Sequence, residues 1–153
     1  MAFLIGTPVA VGYGLFDPID RLELGVPLMA ADRNLDWTLA RVAHTGPRDE
    51  PDGVTPLIAI TLPRGRTLLV SPDQPLYVGD GRCVRAERAL IGGAPLFDRD
   101  GRRVEVVEAR PVPRNGQLFD VTVGSLDAPD SVDGHLIVAG GIICGDAALT
   151  RGR

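Results

Sequence analysis

The stretch Thr67-Leu-Leu-Val-Ser-Pro-Asp-Gln-Pro-Leu-Tyr-Val78 reads as strand, tight turn, strand, and the rest of the chain is laid out around it. Leu68, Leu69 and Val70 form an apolar run, and Leu76, Tyr77 and Val78 resume the β-favouring residues. Pro72 and Pro75 bracket the turn. A proline cannot donate to a ladder, so no central strand runs through residues 71–75. Ser71 and Gln74 are therefore predicted at a strand end, on a rigid frame where a site can be built.

Working outward, the upstream side predicts a short strand over residues 3–14, bent at Gly12-Tyr-Gly14. One helical turn is expected over residues 17–22, with Asp17 as N-cap and Pro18 at its first position. A strand follows Gly25-Val-Pro-Leu-Met29 and turns at Asp32-Arg-Asn34. Residues 37–44 alternate as a half-buried strand should, and residues 45–54 read as a surface loop. Residues 57–62 are a strand, and Pro63-Arg-Gly65 is the turn that leads into Thr67.

Downstream, Leu22-x-x-Gly25-x-Pro27-Leu28 returns as Leu90-x-x-Gly93-x-Pro95-Leu96, an offset of 68 residues. Gly12-Tyr-Gly14 is echoed by Gly79-Asp-Gly81, and Asp32-Arg-Asn34 by Asp98-Arg-Asp-Gly101. This repetition predicts two related β subdomains about a pseudo-two-fold. Residues 104–108 alternate, 110–116 read as a Pro-rich loop, and 118–123 as a strand. Residues 124–134 form a polar loop, and the apolar run 136–144 has the look of one buried strand.

Bulk properties narrow the function. A chain of 153 residues is the size of one domain, and 44% hydrophobic with 24% charged residues is globular composition. Nineteen glycines and thirteen prolines favour turns and short strands over long helices. A net charge of -4 argues against nucleic acid or an anionic membrane surface as partner. No apolar run approaches the roughly 20 residues of a membrane span. The start, Met-Ala-Phe-Leu-Ile-Gly, lacks the basic residues of a secretory signal, so the expected location is cytoplasmic. Cys83 and Cys144 fit no zinc or disulfide framework and read as small buried hydrophobes, with a disulfide between them left open. No phosphate loop, metal cluster or cofactor motif is visible, so no cofactor is expected.

Ser71-Pro-Asp-Gln-Pro75 resembles the Thr-x-x-His segment of the Hedgehog/intein (Hint) self-processing domains, with serine for the threonine and Gln74 for the histidine. The likeness extends over nearly the whole chain. Ala2-Phe-Leu-Ile-Gly-Thr7 resembles the family's opening Cys-Phe-x-x-Gly-Thr. Ile19-Asp-Arg-Leu-Glu-Leu-Gly-Val26 is similar to its Ile-x-x-Leu-x-x-Gly-Asp segment, and Val78-Gly-Asp-Gly-Arg-Cys-Val-Arg-Ala86 to the sequence after the central turn. Leu118-Phe-Asp-Val-Thr-Val123 matches the penultimate strand Val-Tyr-Asp-Leu-x-Val. His135-Leu-Ile-Val-Ala-Gly-Gly-Ile-Ile-Cys-Gly-Asp146 runs in register with His-Asn-Phe-x-Ala-Asn-Gly-Ile-x-Val-His-Asn. The resemblance implies an all-β, compact horseshoe over residues 1–147, with 148–153 as a C-terminal tail and the chain ends meeting in the middle.

It also implies a chemistry. Such domains cut their own backbone: a first-position Cys or Ser attacks the preceding carbonyl, assisted by the histidine of Thr-x-x-His. In inteins the terminal Asn then cyclises, aided by the histidine before it. In this chain Ala2 stands at the nucleophile position, and Gln74 has no proton to exchange near neutral pH. Gly145 replaces the penultimate histidine, Asp146 the terminal asparagine, and Ala147 the acceptor residue. Ser71, Asp120 and His135 survive. Only Met1 precedes Ala2, so no upstream segment to cut is expected.

The same residues have plainer readings. Ser71 caps the Pro72 turn, His135 makes a structural hydrogen bond as readily as a functional one, and His44 is solvated beside its loop. Trp37 is core or half-buried cover. Asp120, between Phe119 and Val121, is the acid best placed for partial burial and a perturbed pKa. The expected function is a degenerate, non-splicing structural or binding module whose partner is a flanking polypeptide or another protein. The alternative is an intein- or Hedgehog-type autoprocessing domain disabled by alanine at the nucleophile position. A third reading, an unrelated small β-barrel, would scatter Ala2, Gln74 and Asp146 in space.

Overall fold

The computed structural model describes residues 2–48, 56–114 and 116–150. In chain order the strands are β1 (Phe3–Leu4), β2 (Pro8–Gly12), β3 (Leu15–Pro18), β4 (Pro27–Ala31), β5 (Trp37–Arg48), β6 (Leu57–Thr61) and β7 (Thr67–Val70). They continue as β8 (Pro75–Gly79), β9 (Arg82–Arg85), β10 (Leu96–Phe97), β11 (Arg103–Val104), β12 (Glu108–Val112), β13 (Leu118–Val123), β14 (Leu136–Ala139) and β15 (Ile142–Gly145). One α-helix, α1 (Ala86–Ile91), and three short 3-10 turns complete the described chain.

One sheet carries almost all of it, in the order β12-β6-β7-β1-β13-β5-β4-β14-β15-β8-β9, with β2 attached to β14 and β3 to β2. Every pairing is antiparallel. The long β5 joins two regions: its first half pairs with β4 and its second with β13. The main core lies among Phe3, Val9, Leu28, Leu76, Val121 and Ile137, drawn from six different strands.

The predicted internal repeat has a structural counterpart. β2–β3 and β8–β9 are hairpins with a register shift at the same place, between Ala10 and Gly12 in one and Tyr77 and Gly79 in the other. β2 pairs with β14, while β8 pairs with β15. In the turn after β4, Asp32 Oδ1 accepts from the amides of Asn34 and Asp36. In the turn after β10, Asp98 Oδ1 accepts from those of Asp100 and Arg102. The two Asx turns share one hydrogen-bond pattern.

Several local expectations need correction. Asp17 caps no helix: pairing of Val9 with Asp17 and of Pro8 with Pro18 keeps both extended, and a 3-10 turn forms only over Ile19–Arg21. The loop predicted from residue 45 is strand as far as Arg48, because β13 pairs along it. The remainder of that loop, 49–54, lies outside the described residues. Part of the predicted loop at 110–116 is strand β12, which pairs with β6 through Val112. The strand predicted over 104–108 is broken: Val104 ends β11, Glu108 opens β12, and residues 105–107 between them are not strand. Residues 3–14 hold two strands, separated by a turn. The apolar run 136–144 is the hairpin β14–β15, with Ala139 opposite Ile142.

Candidate functional site

The turn Ser71–Gln74 has the form its prolines predicted. The Gln74 amide donates to the Ser71 carbonyl over 3.1 Å, with Pro72 at the second position. The turn sits beside the start of β1. Ser71 N donates to the Ala2 carbonyl over 3.0 Å, continuing the β1–β7 ladder one residue beyond the pair Phe3–Val70. On the other side β1 pairs with β13, Phe3 opposite Phe119, so one step back sets Ala2 across from Asp120. Directly opposed residues point to the same face, so Ser71, Ala2 and Asp120 line up in a row across three strands.

Ser71 Oγ lies 2.7 Å from Asp73 Oδ1 and 3.3 Å from the Ala2 carbonyl. A hydroxyl has one proton, and the shorter contact to a carboxylate takes it. Arg48, at the end of β5, grips Asp73 with both terminal nitrogens at 3.0 Å. Burial pushes the Asp73 carboxyl up, but the hydrogen bonds from Arg48 and Ser71 outweigh it and hold the group well below the usual carboxylate range. The Ser71 hydroxyl thus donates to a charged partner, and among the described residues it accepts from no amide of the turn it was expected to cap.

Gln74 is fully buried. Its Nε2 donates to the carbonyls of Pro75 and Gly145, at 2.8 and 2.9 Å, which ties the central turn to the end of β15. Its Oε1 is buried with no hydrogen-bond partner among the described residues. Gly145 has little free space around it. A Cβ there would lie 2.5 Å from Leu149 Cδ1 and 2.9 Å from Pro75 Cβ. A side chain at this position meets a rigid proline ring.

Asp146 is also fully buried, and its carboxyl oxygens are met by three hydrogen-bond partners. Oδ2 accepts from Val123 N at 2.9 Å and stands 2.9 Å from His135 Nδ1, while Oδ1 accepts from Ala148 N at 3.0 Å. The bond to Ala148 makes Asp146 the cap of the 3-10 turn Ala147–Thr150, whose Ala147, Ala148 and Leu149 are buried. The backbone repeats the link, with Asp146 N donating to the His135 carbonyl over 2.9 Å.

Ala2, Ser71, Gln74, Gly145, Asp146 and His135 are therefore brought together, the first four through consecutive hydrogen bonds. Asp120 joins them by register alone. Its own partner is His44, whose Nε2 lies 3.1 Å from Asp120 Oδ1, so His44 is an ion-pair or hydrogen-bond partner and not simply solvated. His44 opposes Thr122, two residue pairs from Asp120 and Gly46, which puts both side chains on the same face. Sequence reasoning passed over Arg48 and Asp73. Arg48 was hidden in a predicted loop, whereas Asp73 stood in plain view inside the quoted turn.

Ala2, Gln74, Gly145 and Asp146 are buried, and the hollow beside them, about 250 Å³, is lined by Asp73, Pro75, Cys83, Arg85 and Leu149. Cys83 reaches this hollow from one face of the sheet, while Cys144 is buried in the main core on the other; no disulfide joins them. Burial raises the Cys144 thiol far above its ordinary value. Among the described residues no three His, Cys, Asp or Glu side chains are grouped to hold a metal ion.

No family model matches the sequence, and no curated protein does. Solved structures do. The bacterial intein-like domain from Clostridium thermocellum superposes with a TM-score of 0.75 at 20% identity, over 95% of this chain and 98% of that one. A DnaB intein from Synechocystis gives 0.71 at 17% identity, covering 96% and 99%. The gp41-1 intein gives 0.69 at 16%, covering 95% and 98%. With the central turn, the first strand and the last hairpin converging as described, this chain has the intein-like Hint fold.

Proposed function

We propose that this chain is a Hint domain without self-cleaving chemistry, kept as a structural or binding module for a flanking polypeptide or protein partner. The observation that carries this reading is the packing at Gly145. The space a penultimate histidine would need is filled by Pro75 and Leu149, and Gln74 is bonded to the Gly145 carbonyl. Loss of that histidine is thus built into the surrounding packing and is not a single exchange. At the other position, Ala2 offers a methyl group where an attacking atom is required. Gln74 can hold a backbone carbonyl but cannot shuttle a proton. His135 and Asp146 are engaged with each other, Asp146 serving as a helix-turn cap.

The test restores the missing nucleophile. Ala2→Cys is made with a short N-terminal extension, and intact mass is followed for days with and without added thiol. The expected mass is constant. Thiol-dependent loss of the extension would mean that alanine alone silences an otherwise competent autoprocessing centre, and the proposal would fail.

A further inference from the structure

A second cavity shares strands β1 and β7 with the converged site but is lined by none of Ala2, Ser71, Gln74, Asp120, His135, Gly145 and Asp146. It is an open cleft of about 540 Å³, walled by Leu4, Ile5, Phe16, Leu68 and Leu69 and lined also by Arg66. Ile5 and Phe16 are 47% and 53% exposed, and both line this hollow. A concave, mostly apolar cleft of this size with few polar groups is the usual form of a small-molecule site.

Its polar groups are nearly all used. Thr7 Oγ1 donates to the Leu4 carbonyl over 2.6 Å, and the Gly6 amide donates to Asp20 over 2.8 Å. The exceptions are the Thr67 hydroxyl and Arg66, the one cation of the lining, which takes no part in the ion pairs of the described residues. Its guanidinium lies against the β14–β15 turn, where a Cβ on Gly141 would be 2.6 Å from Arg66 Nη1. A Cβ on Gly140 would be 2.7 Å from Leu68 Cδ1. Both residues have positive φ, 59° and 89°, which also favours glycine. The diglycine therefore lets a cation and an apolar wall close on the same hollow.

We infer that this cavity binds a small monocarboxylate with an aliphatic tail, the tail among Leu4, Phe16, Leu68 and Leu69 and the carboxylate on Arg66. The inference does not depend on whether the domain can cleave itself. An apolar wall supplies affinity for a tail of any headgroup. The unpaired guanidinium supplies the choice, because it bonds a carboxylate through two donors, meets an alcohol weakly and repels an ammonium.

Three probes with one tail separate these contributions: octanoate, 1-octanol and octylammonium, each titrated into ¹⁵N-labelled protein. Octanoate is expected to shift the amides of Leu69, Gly140 and Gly141 saturably, binding roughly tenfold tighter than octanol, with octylammonium weakest. Arg66→Gln, at an exposed position, should bring octanoate down to the octanol affinity and leave octanol unchanged. Absence of a saturable shift with octanoate, equal binding of octanoate and octylammonium, or undiminished octanoate binding by Arg66→Gln would each overturn the proposal.

Discussion

Gly145 is the residue at which the architecture and the chemistry of this domain meet. Its neighbours leave no room for a side chain, because the nearest heavy atoms to an added Cβ belong to Leu149 and Pro75. Leu149 can turn aside, but the Pro75 ring is fixed in strand β8 and cannot. Gly145→Ala should therefore destabilise the fold by about 1–3 kcal/mol through overpacking, with Gly145→His worse, read as a lower urea midpoint at unchanged m-value. An alanine variant as stable as the parent would show that the site can open, and would weaken the case against a histidine there. The sequence alone made Gly145 visible only as an exchange of residue type. It could not show that the vacated space had been filled, because Leu149 is four residues away along a stretch expected to be a tail. That Ala2, Ser71, Gln74, His135, Gly145 and Asp146 come together in space was legible through the resemblance; how Gln74 is held was not, since it depends on the Gly145 carbonyl reaching across from β15.

Between elements, the Arg48–Asp73 pair fastens the end of β5 to the turn joining β7 and β8. The Asp73 carboxyl is held below its unfolded value, so its contribution to stability is complete above about pH 4 and is lost as pH falls towards the folded value. Arg48→Met removes the partner. The variant should be clearly less stable at pH 7, and the gap between the two stability curves should narrow below about pH 4 when urea unfolding is followed across the acid range. A constant gap would mean that Arg48 acts through packing and not through charge. The paired Asx turns offer a second check at this scale. Asp32 and Asp98 each hold two amides, so Asp32→Ala and Asp98→Ala should each cost about 1 kcal/mol, and a large inequality would argue that the two turns are not equivalent parts. Strands with clear alternation, such as β13, could be read from the sequence. Proline inside a strand hid two stretches that were read as loop. Pro47 lies in the half of β5 that has β13 as its neighbour, and Pro111 lies in β12 at the sheet edge; in both places a missing N–H is tolerated. The hairpin β14–β15 was missed because it is buried on both faces, which erases the polar alternation that would have marked its turn.

For the whole molecule, β1 is the smallest strand in the main sheet and among its most consequential. Two residues long, it fills the place between β7 and β13, so that Phe3 meets Val70 and Phe119 across very different lengths of chain. Without it the two ladders it joins would have facing edges and no shared partner, and the central turn would lose the carbonyl that Ser71 holds. Phe3 is fully buried in the main core, so Phe3→Ala should cost about 3–5 kcal/mol, a large part of the roughly 5–15 kcal/mol typical of a domain. The measurement is urea unfolding followed by Trp37 fluorescence. That indole, whose Nε1 donates to the Arg99 carbonyl over 2.9 Å, lies on β5 and reports on the sheet beyond β1. If β1 clasps the whole sheet, Trp37 should register the full loss in one cooperative transition, coincident with far-UV circular dichroism. A Trp37 transition left at the parental midpoint would instead mean that β1 merely lies along an already complete sheet. The convergence of the first strand, the central turn and the last hairpin would then be a consequence of the fold and not one of its supports.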